Sequence, residues 1–267
     1  MSALADKNIV YCGDCERVLK AIGDNSIDLV VTSPPYDDLR KYKDNSGKEW
    51  CFEKFKAIAI ELIRVLKNGG VIVWNVNDRV KNSTKSGTSF RQCLFFMDNG
   101  LNLNDTMILK KKNPMPQVKQ PRYTQCFEYM FVFSKGKPKT FNPIMIPTKC
   151  GGQHYKSTAK LITDDNDRRE LDYHVNNEMV DYNIWEMAVA RNQDPKLKHP
   201  AVFPYELPLR HIKSWTNEGD TVLDPFCGSG TTLRAARDLK RNFIGIDCVD
   251  EYALMSALSV NCVVKKV

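Results

Sequence analysis

Two short segments carry the chemistry that can be read from the chain. Thr32-Ser33-Pro34-Pro35-Tyr36 follows an apolar run, and Asp224-Pro225-Phe226-Cys227-Gly228-Ser229-Gly230-Thr231-Thr232 follows another, about 190 residues later. In the first, Ser33 Oγ and the Pro34 carbonyl offer two hydrogen-bond acceptors on a backbone stiffened by Pro34 and Pro35. Tyr36 adds a ring face on which a flat base can stack. That set suits an exocyclic amine on an aromatic ring. Such a nitrogen is a poor nucleophile because its lone pair is delocalised, and it must pyramidalise to attack. Acceptors on its N–H bonds favour that change and draw off the developing positive charge.

The second segment is a glycine turn between an apolar strand and a helix, which brings backbone N–H groups and a helix N-terminus close to a ligand. It is not a phosphate-binding loop, since no Gly-Lys-Ser/Thr follows, and Leu233 stands where a dinucleotide fingerprint would have its third glycine. Asp224 before the turn would repel a pyrophosphate but suits an ammonium or sulfonium. Gly245-Ile246-Asp247 ends the next strand with another carboxylate, placed to bind ribose hydroxyls. The ligand these features imply is a cationic nucleoside with an amino-acid arm, a description that fits S-adenosylmethionine. A turn that only joined a strand to a helix would need neither acid.

The elements that must hold these segments alternate. Apolar runs predict strands over 8–12, 27–32, 71–76, 107–111, 127–134, 221–226 and 242–247. Helical spacing predicts helices over 15–22, 52–67, near 89–98, 205–215 and 231–240, and one starting near Asp250. Asn68-Gly69-Gly70 is expected to stop the helix before it. Residues 140–182 lack periodicity and have the composition of a loop-rich insertion. Strands alternating with helices predict an α/β fold with a mostly parallel sheet covered on both faces.

The chain has 267 residues, 42% hydrophobic and 27% charged, enough for a core and too apolar for general disorder. A net charge of +7 favours a polyanionic partner. The start has no basic segment followed by a long apolar one, so no signal peptide is read, and no apolar run nears the roughly 20 residues of a membrane span. Nine scattered cysteines point to reduced thiols and a cytoplasmic chain, drawn to the nucleoid by any DNA affinity. Cys12-Gly13-Asp14-Cys15 is a lone CxxC with no second pair, so no metal is assigned.

With these motifs in hand, the chain resembles the permuted beta group of S-adenosylmethionine-dependent DNA amino-methyltransferases, in which the SPPY segment comes first, a target-recognition region follows and the FxGxG turn comes late. The segments that carry the resemblance are CGDCERVL (12–19), DLVVTSPPY (28–36), VLKNGGVIVWN (65–75), HPAVFPYELPLRHI (199–212), VLDPFCGSGTT (222–232) and RNFIGID (241–247). It implies a Rossmann-like methyltransferase fold with circularly permuted motif order: a catalytic half over 1–139, a recognition insertion over 140–182 and a cofactor half over 183–267. It further implies that Asp224, Phe226, Gly228, Ser229, Gly230, Thr231 and Thr232 line the methionine and ribose side of the cofactor and that Asp247 binds the ribose. Asp14 would sit by the adenine amine, Phe203 and Pro204 would close the pocket, and Trp185 would assist. Ser33, Pro34, Pro35 and Tyr36 would hold the target base. In this family SPPY usually marks N4-cytosine enzymes and DPPY N6-adenine enzymes, so the serine leans towards cytosine, with adenine the alternative.

The expected partner is double-stranded DNA, from which the target base must be flipped. Residues 110–139 hold Lys110, Lys111, Lys112, Lys119, Arg122, Lys135, Lys137 and Lys139 against one acid, Glu128, with Tyr123, Phe127 and Tyr129 among them. This cluster is expected to contact phosphates, with Lys110, Lys111, Lys112, Lys119, Arg122 and Tyr123 foremost. Within 140–182, Lys149, His154, Arg168 and Arg169 are candidates for sequence recognition. The residues leave open a cognate restriction endonuclease, a monomer or a homodimer, and two rivals: a methyltransferase acting on RNA or a small amine, and a DNA-binding protein with an inactive pocket.

Overall fold

The computed structural model describes residues 6–35, 50–116, 121–160, 168–188 and 204–267. Tyr36, Lys119 and Phe203 lie outside the described residues. In chain order the elements are β1 (Ile9–Cys12), α1 (Cys15–Ala21), β2 (Ile27–Thr32), α2 (Phe52–Val65), β3 (Leu66–Val76), β4 (Val80–Lys81), β5 (Thr84–Lys85), α3 (Thr88–Asp98), β6 (Asn102–Lys111), β7 (Phe127–Ser134), β8 (Met145–Pro147), β9 (His154–Lys160), β10 (Arg168–His174), β11 (Glu178–Val180), β12 (Ile184–Met187), α4 (Glu206–Trp215), β13 (Thr221–Asp224), α5 (Thr231–Asp238), β14 (Asn242–Asp247), α6 (Asp250–Val260) and β15 (Val264–Lys266).

Nine strands form one sheet in the order β12-β6-β7-β3-β2-β13-β14-β1-β15. Every pairing is parallel except the two made by β7, which runs against its neighbours β3 and β6. β2 (IDLVVT) and β13 (TVLD) are buried at every residue, as central strands covered on both faces are. After β2 the chain moves to β3 on one side. After β13 it moves to β14 on the other. The crevice of the sheet therefore opens between β2 and β13, where strand order reverses.

α2 turns Phe55, Ile58, Ala59, Leu62 and Val65 inward at three- and four-residue spacing. Phe55 meets Trp74, Phe95 and Phe96 edge-on or tilted at 5.5–5.7 Å, and the buried Trp74 Nε1–H donates to Gln92 at 2.8 Å. These rings fix α2 and α3 on the sheet. At the sheet end remote from the crevice, the buried Asp28 carboxylate accepts from Lys67 (2.8 Å), from Lys139 and from the Thr221 backbone N–H (2.9 Å).

Two expectations need correction. Asn68-Gly69-Gly70 does not cap α2; the helix ends at Val65 and β3 starts at Leu66, with a register shift between Ile27 and Leu29 in its partner. The glycines serve close approach: a Cβ on Gly70 would lie 2.9 Å from Leu66 Cδ1 and the Lys67 carbonyl. The second is the insertion. Residues 143–182 form a compact unit of their own, separate from the unit made by the rest of the chain. Among its described residues, antiparallel pairs, β8 with β11 and β9 with β10, stand between the loops that its composition predicts. Inside it Gly151 is pressed on Asn177, whose Cα would lie 2.8 Å from an added Cβ. The flanking segments 1–139 and 183–267 share one sheet, in which β1 pairs with β14 and β2 with β13.

Candidate active site

Parallel register sets the carboxyl ends of β2, β13, β14 and β1 side by side, with Asp224 opposite Gly245 and Asp247 opposite Cys12. Ser33, Asp224, Asp247 and Asp14 thus follow one another across three strand spacings, about 14 Å. The two motifs meet directly. Thr32 Oγ1, immediately before Ser33, donates to Asp224 Oδ1 at 2.7 Å. The same oxygen accepts the Phe226 N–H at 3.1 Å. Pro34 is buried, and Ser33 and Pro35 are half-buried.

Asp224 is 2% exposed. Burial pushes its carboxyl up to about 6, against the opposing pull of the Thr32 and Phe226 hydrogen bonds. A cation beside it would favour its charged form. The glycine turn is fixed by Gly228 N–H on Asp247 Oδ2 (3.0 Å), Cys227 N–H on the Ile246 carbonyl (2.9 Å) and Gly230 N–H on the Cys227 carbonyl (2.7 Å). Gly230 caps α5 at φ 78°, and a Cβ there would lie 2.4 Å from Ser259 Oγ and 2.8 Å from Ser256 Oγ. Only glycine satisfies both the left-handed backbone and the contact with α6. Thr231 and Thr232 are buried in the first turn of α5, and Ser229 Oγ lies 3.1 Å from Thr231 Oγ1.

Asp247 is shaped by two backbone donors, Gly228 and Val249 (2.9 Å). Asp14 caps α1 through the Glu16 N–H (2.9 Å) and takes Lys54 Nζ on its other oxygen (2.9 Å). Burial alone would raise Asp14; Lys54 and the Glu16 N–H outweigh it and hold the carboxyl below its ordinary range. Phe226 stands edge-on to Trp50 at 5.3 Å. Trp50 and Lys54, four residues apart at the entrance to α2, therefore reach the glycine turn and Asp14 respectively. Neither was anticipated from sequence, since Trp50 precedes the helix and no helical spacing relates it to Lys54. Thr32 opens the first motif, but nothing local shows its link to Asp224, because it reads as the last residue of a strand.

The donor set fits a cationic nucleoside. It has a buried carboxylate for positive charge, a glycine turn open to close approach, and two further acids along the strand ends for hydroxyl and amine donors. Pro204 sits just ahead of α4, its carbonyl accepting the Leu207 N–H at 3.0 Å.

Trp185 does not join the cofactor residues. It lies in β12 at the sheet edge, five strand spacings from β13, about 24 Å. There it is buried under α4, its ring 4.6 Å from His211 with the Arg210 guanidinium 4.2 Å above it. Burial, then Arg210, push His211 down to about 3, so it packs as a neutral ring.

The basic run also divides. β6 rises towards the crevice end and β7 descends from it, so eight residues of β7 carry the chain about 27 Å away. Lys110, Lys111, Lys112, Arg122 and Tyr123 stay near the crevice end. Lys110 pairs with Glu186 (3.0 Å) and Lys111 with Glu128 (2.6 Å), whereas Lys112 is exposed and Tyr123 almost fully so. Lys135, Lys137 and Lys139 follow β7 to the remote end. Lys135 donates to the Ile63 and Leu66 carbonyls, both at 2.9 Å, and Lys139 binds Asp28 and Asp220. Lys135 and Lys139 thus hold structural contacts at the end remote from the crevice. In the 143–182 unit Lys149 is exposed, His154 binds Asp172 and lies tilted against His174, and Arg168 and Arg169 stand opposite Lys160 and Ala159 in the hairpin.

Burial and the Asp250 carboxylate push Cys12 up to about 11, and burial also pushes Cys15 up. Among the described residues no three His, Cys, Asp or Glu side chains group to hold a metal ion, and no helix is long and apolar enough to cross a membrane.

Comparison with known proteins agrees with this geometry. Residues 27–257 match the family model N6_N4_Mtase, DNA methylase. The orphan methyltransferase M.BamHII of Bacillus amyloliquefaciens is 44% identical over 243 residues, covering 86% of this chain and 87% of the relative. The Type II methyltransferase M.BglII of Bacillus subtilis is 31% identical, covering 92% of this chain and 66% of its own. Among solved structures, PvuII DNA methyltransferase (cytosine-N4-specific) superposes with a TM-score of 0.68 at 21% identity, over 97% of this chain and 87% of that one. The M1.HpyAVI–SAM complex gives 0.60 at 24%, over 95% and 99%. At these identities the two structures share the fold.

Proposed function

The chain belongs to the S-adenosylmethionine-dependent DNA amino-methyltransferases of the permuted beta group, and we propose that its acceptor is N4 of cytosine in a base flipped out of double-stranded DNA. The observation that carries the proposal is the Thr32–Asp224 hydrogen bond, which brings an amine-accepting loop and a cation-accepting turn to one crevice. Ser33 ahead of Pro34-Pro35 supports cytosine over adenine, as does the specificity named for the PvuII fold neighbour.

S-adenosylmethionine supplies an activated methyl group. Asp224 balances the positive charge of the donor, and the N-terminus of α5 receives its amino-acid arm. Asp247 accepts ribose hydroxyls and Asp14 the adenine amine, while Pro204 stands at the rim. On the acceptor side, Ser33 Oγ and the Pro34 carbonyl accept the two N–H bonds of the amine. They turn its lone pair towards the methyl group and take up charge as the nitrogen becomes tetrahedral, and the surplus amine proton would be lost to water. Tyr36 stacks on the flipped ring. Extrusion of the base costs a few kcal/mol, which phosphate contacts from Lys112 and Arg122, with neighbouring Lys110 and Lys111, offset.

Mass spectrometry of nucleosides from duplex DNA treated with the enzyme tests this. The expected product is 4-methylcytosine. Appearance of 6-methyladenine would move the target to adenine, and methyl incorporation into RNA alone would end the DNA assignment.

A further inference from the structure

We infer that Thr32 is a positioning residue that couples occupation of the cofactor cleft to the posture of the target-base loop. The inference rests on the methyl-transfer proposal and adds to it a link between its two halves. The backbone pairing of β2 with β13 is confined to Leu29–Val222 and Val30–Leu223. Beyond those pairs the strands part to form the crevice, and the Thr32 side chain bridges the gap to Asp224 at 2.7 Å. Both residues are buried, Thr32 completely. The acceptor atom, Asp224 Oδ1, also holds the Phe226 N–H of the glycine turn. One carboxylate oxygen therefore anchors the residue that precedes Ser33 and the residue that opens the cofactor turn.

This arrangement transmits in both directions. A cationic ligand beside Asp224 pulls on its carboxylate and fixes the orientation of Oδ1, so the charge-assisted hydrogen bond from Thr32 is held in one geometry. Ser33 and Pro34, one and two residues on, are then held with less freedom to receive an amine. By reciprocity, a base gripped by Ser33 and Pro34 fixes Thr32, orients the Asp224 carboxylate and tightens cofactor binding by the same factor. A hydroxyl that only joined two strands would affect stability and leave this factor untouched.

The test is a titration of the non-transferring amine analogue sinefungin into the full-length enzyme, with and without a duplex that the enzyme methylates. The wild type should bind it about five- to tenfold more tightly with DNA present, the range of an ordinary coupling. Thr32→Val should bring that ratio close to one, while sinefungin affinity without DNA changes less than about threefold. Thr32→Ser, which keeps the hydroxyl, should retain the wild-type ratio. Should valine disturb folding, Thr32→Ala is compared with Thr32→Ser, since both lack the methyl group and differ only in the hydroxyl. A wild-type ratio of one, a coupling unchanged in the valine or alanine variant, or a loss of sinefungin affinity already complete without DNA would each overturn the inference. Absence of any methylated nucleoside from wild-type reactions would instead remove the parent proposal, and the separate mass-spectrometric assay reports it.

Discussion

Asp224→Asn exposes the conflict between folding and cofactor binding at this site. The carboxyl stands about two units above its ordinary value of 3.8 because burial opposes its charge. At about 1.4 kcal/mol per unit, ionising it in the folded chain costs about 3 kcal/mol relative to the unfolded chain. The folded state binds the proton more tightly than the unfolded state does. The penalty is therefore absent below about pH 4, grows between about pH 4 and 6, and is complete above that. Asparagine keeps an oxygen for Thr32 and Phe226 and removes the charge. Its new N–H2 group must find acceptors, which takes back about 1 kcal/mol. The net gain is about 2 kcal/mol at pH 8, or roughly 4–8 °C in melting temperature for a chain of this size. Thermal unfolding of the ligand-free protein at pH 8 and pH 4.5 measures it, and the difference between variant and wild type should nearly vanish at the lower pH. The same substitution should weaken S-adenosylmethionine binding at least tenfold by calorimetry, through loss of the balancing charge. A variant less stable than the wild type at pH 8, or a stability difference that does not change with pH, would refute the reasoning.

Ser33→Ala should lower turnover about a hundredfold with little change in cofactor affinity, because its acceptor acts on the amine as charge develops; single-turnover kinetics and a cofactor titration separate the two. Asp247→Ala should do the opposite, weakening cofactor binding first, since the Gly228 and Val249 N–H groups lose their acceptor along with the ribose. Gly230→Ala should cost about 2–4 kcal/mol in urea unfolding, from a strained left-handed backbone added to a Cβ pressed on Ser259 and Ser256. Lys112→Ala should weaken binding to any duplex and reduce the salt slope by about one, whereas Lys139→Ala should leave duplex affinity intact and lower stability by removing one of the two lysines paired with Asp28.

Much of the site was legible because its chemistry is local. Asp224, Gly228, Gly230 and Asp247 each announce a backbone or charge requirement in a few residues, and the apolar run into Ser33-Pro34-Pro35 marks a strand end. The errors arose where meaning depends on direction or on distant packing. The lysines of 110–139 form one cluster in sequence, but a descending strand puts Lys135 and Lys139 at the far end of the sheet, and nothing local says that β7 runs against its neighbours. Gly69 and Gly70 look like a helix stop, yet they are small because Lys139, Leu66 and Asp28 crowd them. Trp185 carries no local mark of its neighbours, and its place under α4 depends on a helix that starts about twenty residues later. The paired strands of 143–182 are short and polar, and strand pairing there is set by cross-strand partners that no periodicity displays.

Asp28 has a mechanical consequence. It ties together the ends of β2, β3 and β13 and the segment after β7 through Lys67, Thr221 and Lys139, while the opposite tips of β2 and β13 separate. The pair behaves like a tuning fork held at the stem. Relative displacement of the prongs becomes a change in the width of the gap and not a slide along it. In the proposed reaction the methyl carbon and the nitrogen that attacks it would sit one on each prong, so their approach would reduce to a single coordinate, stiffened at the stem by Asp28 and at the tips by the Thr32–Asp224 hydrogen bond.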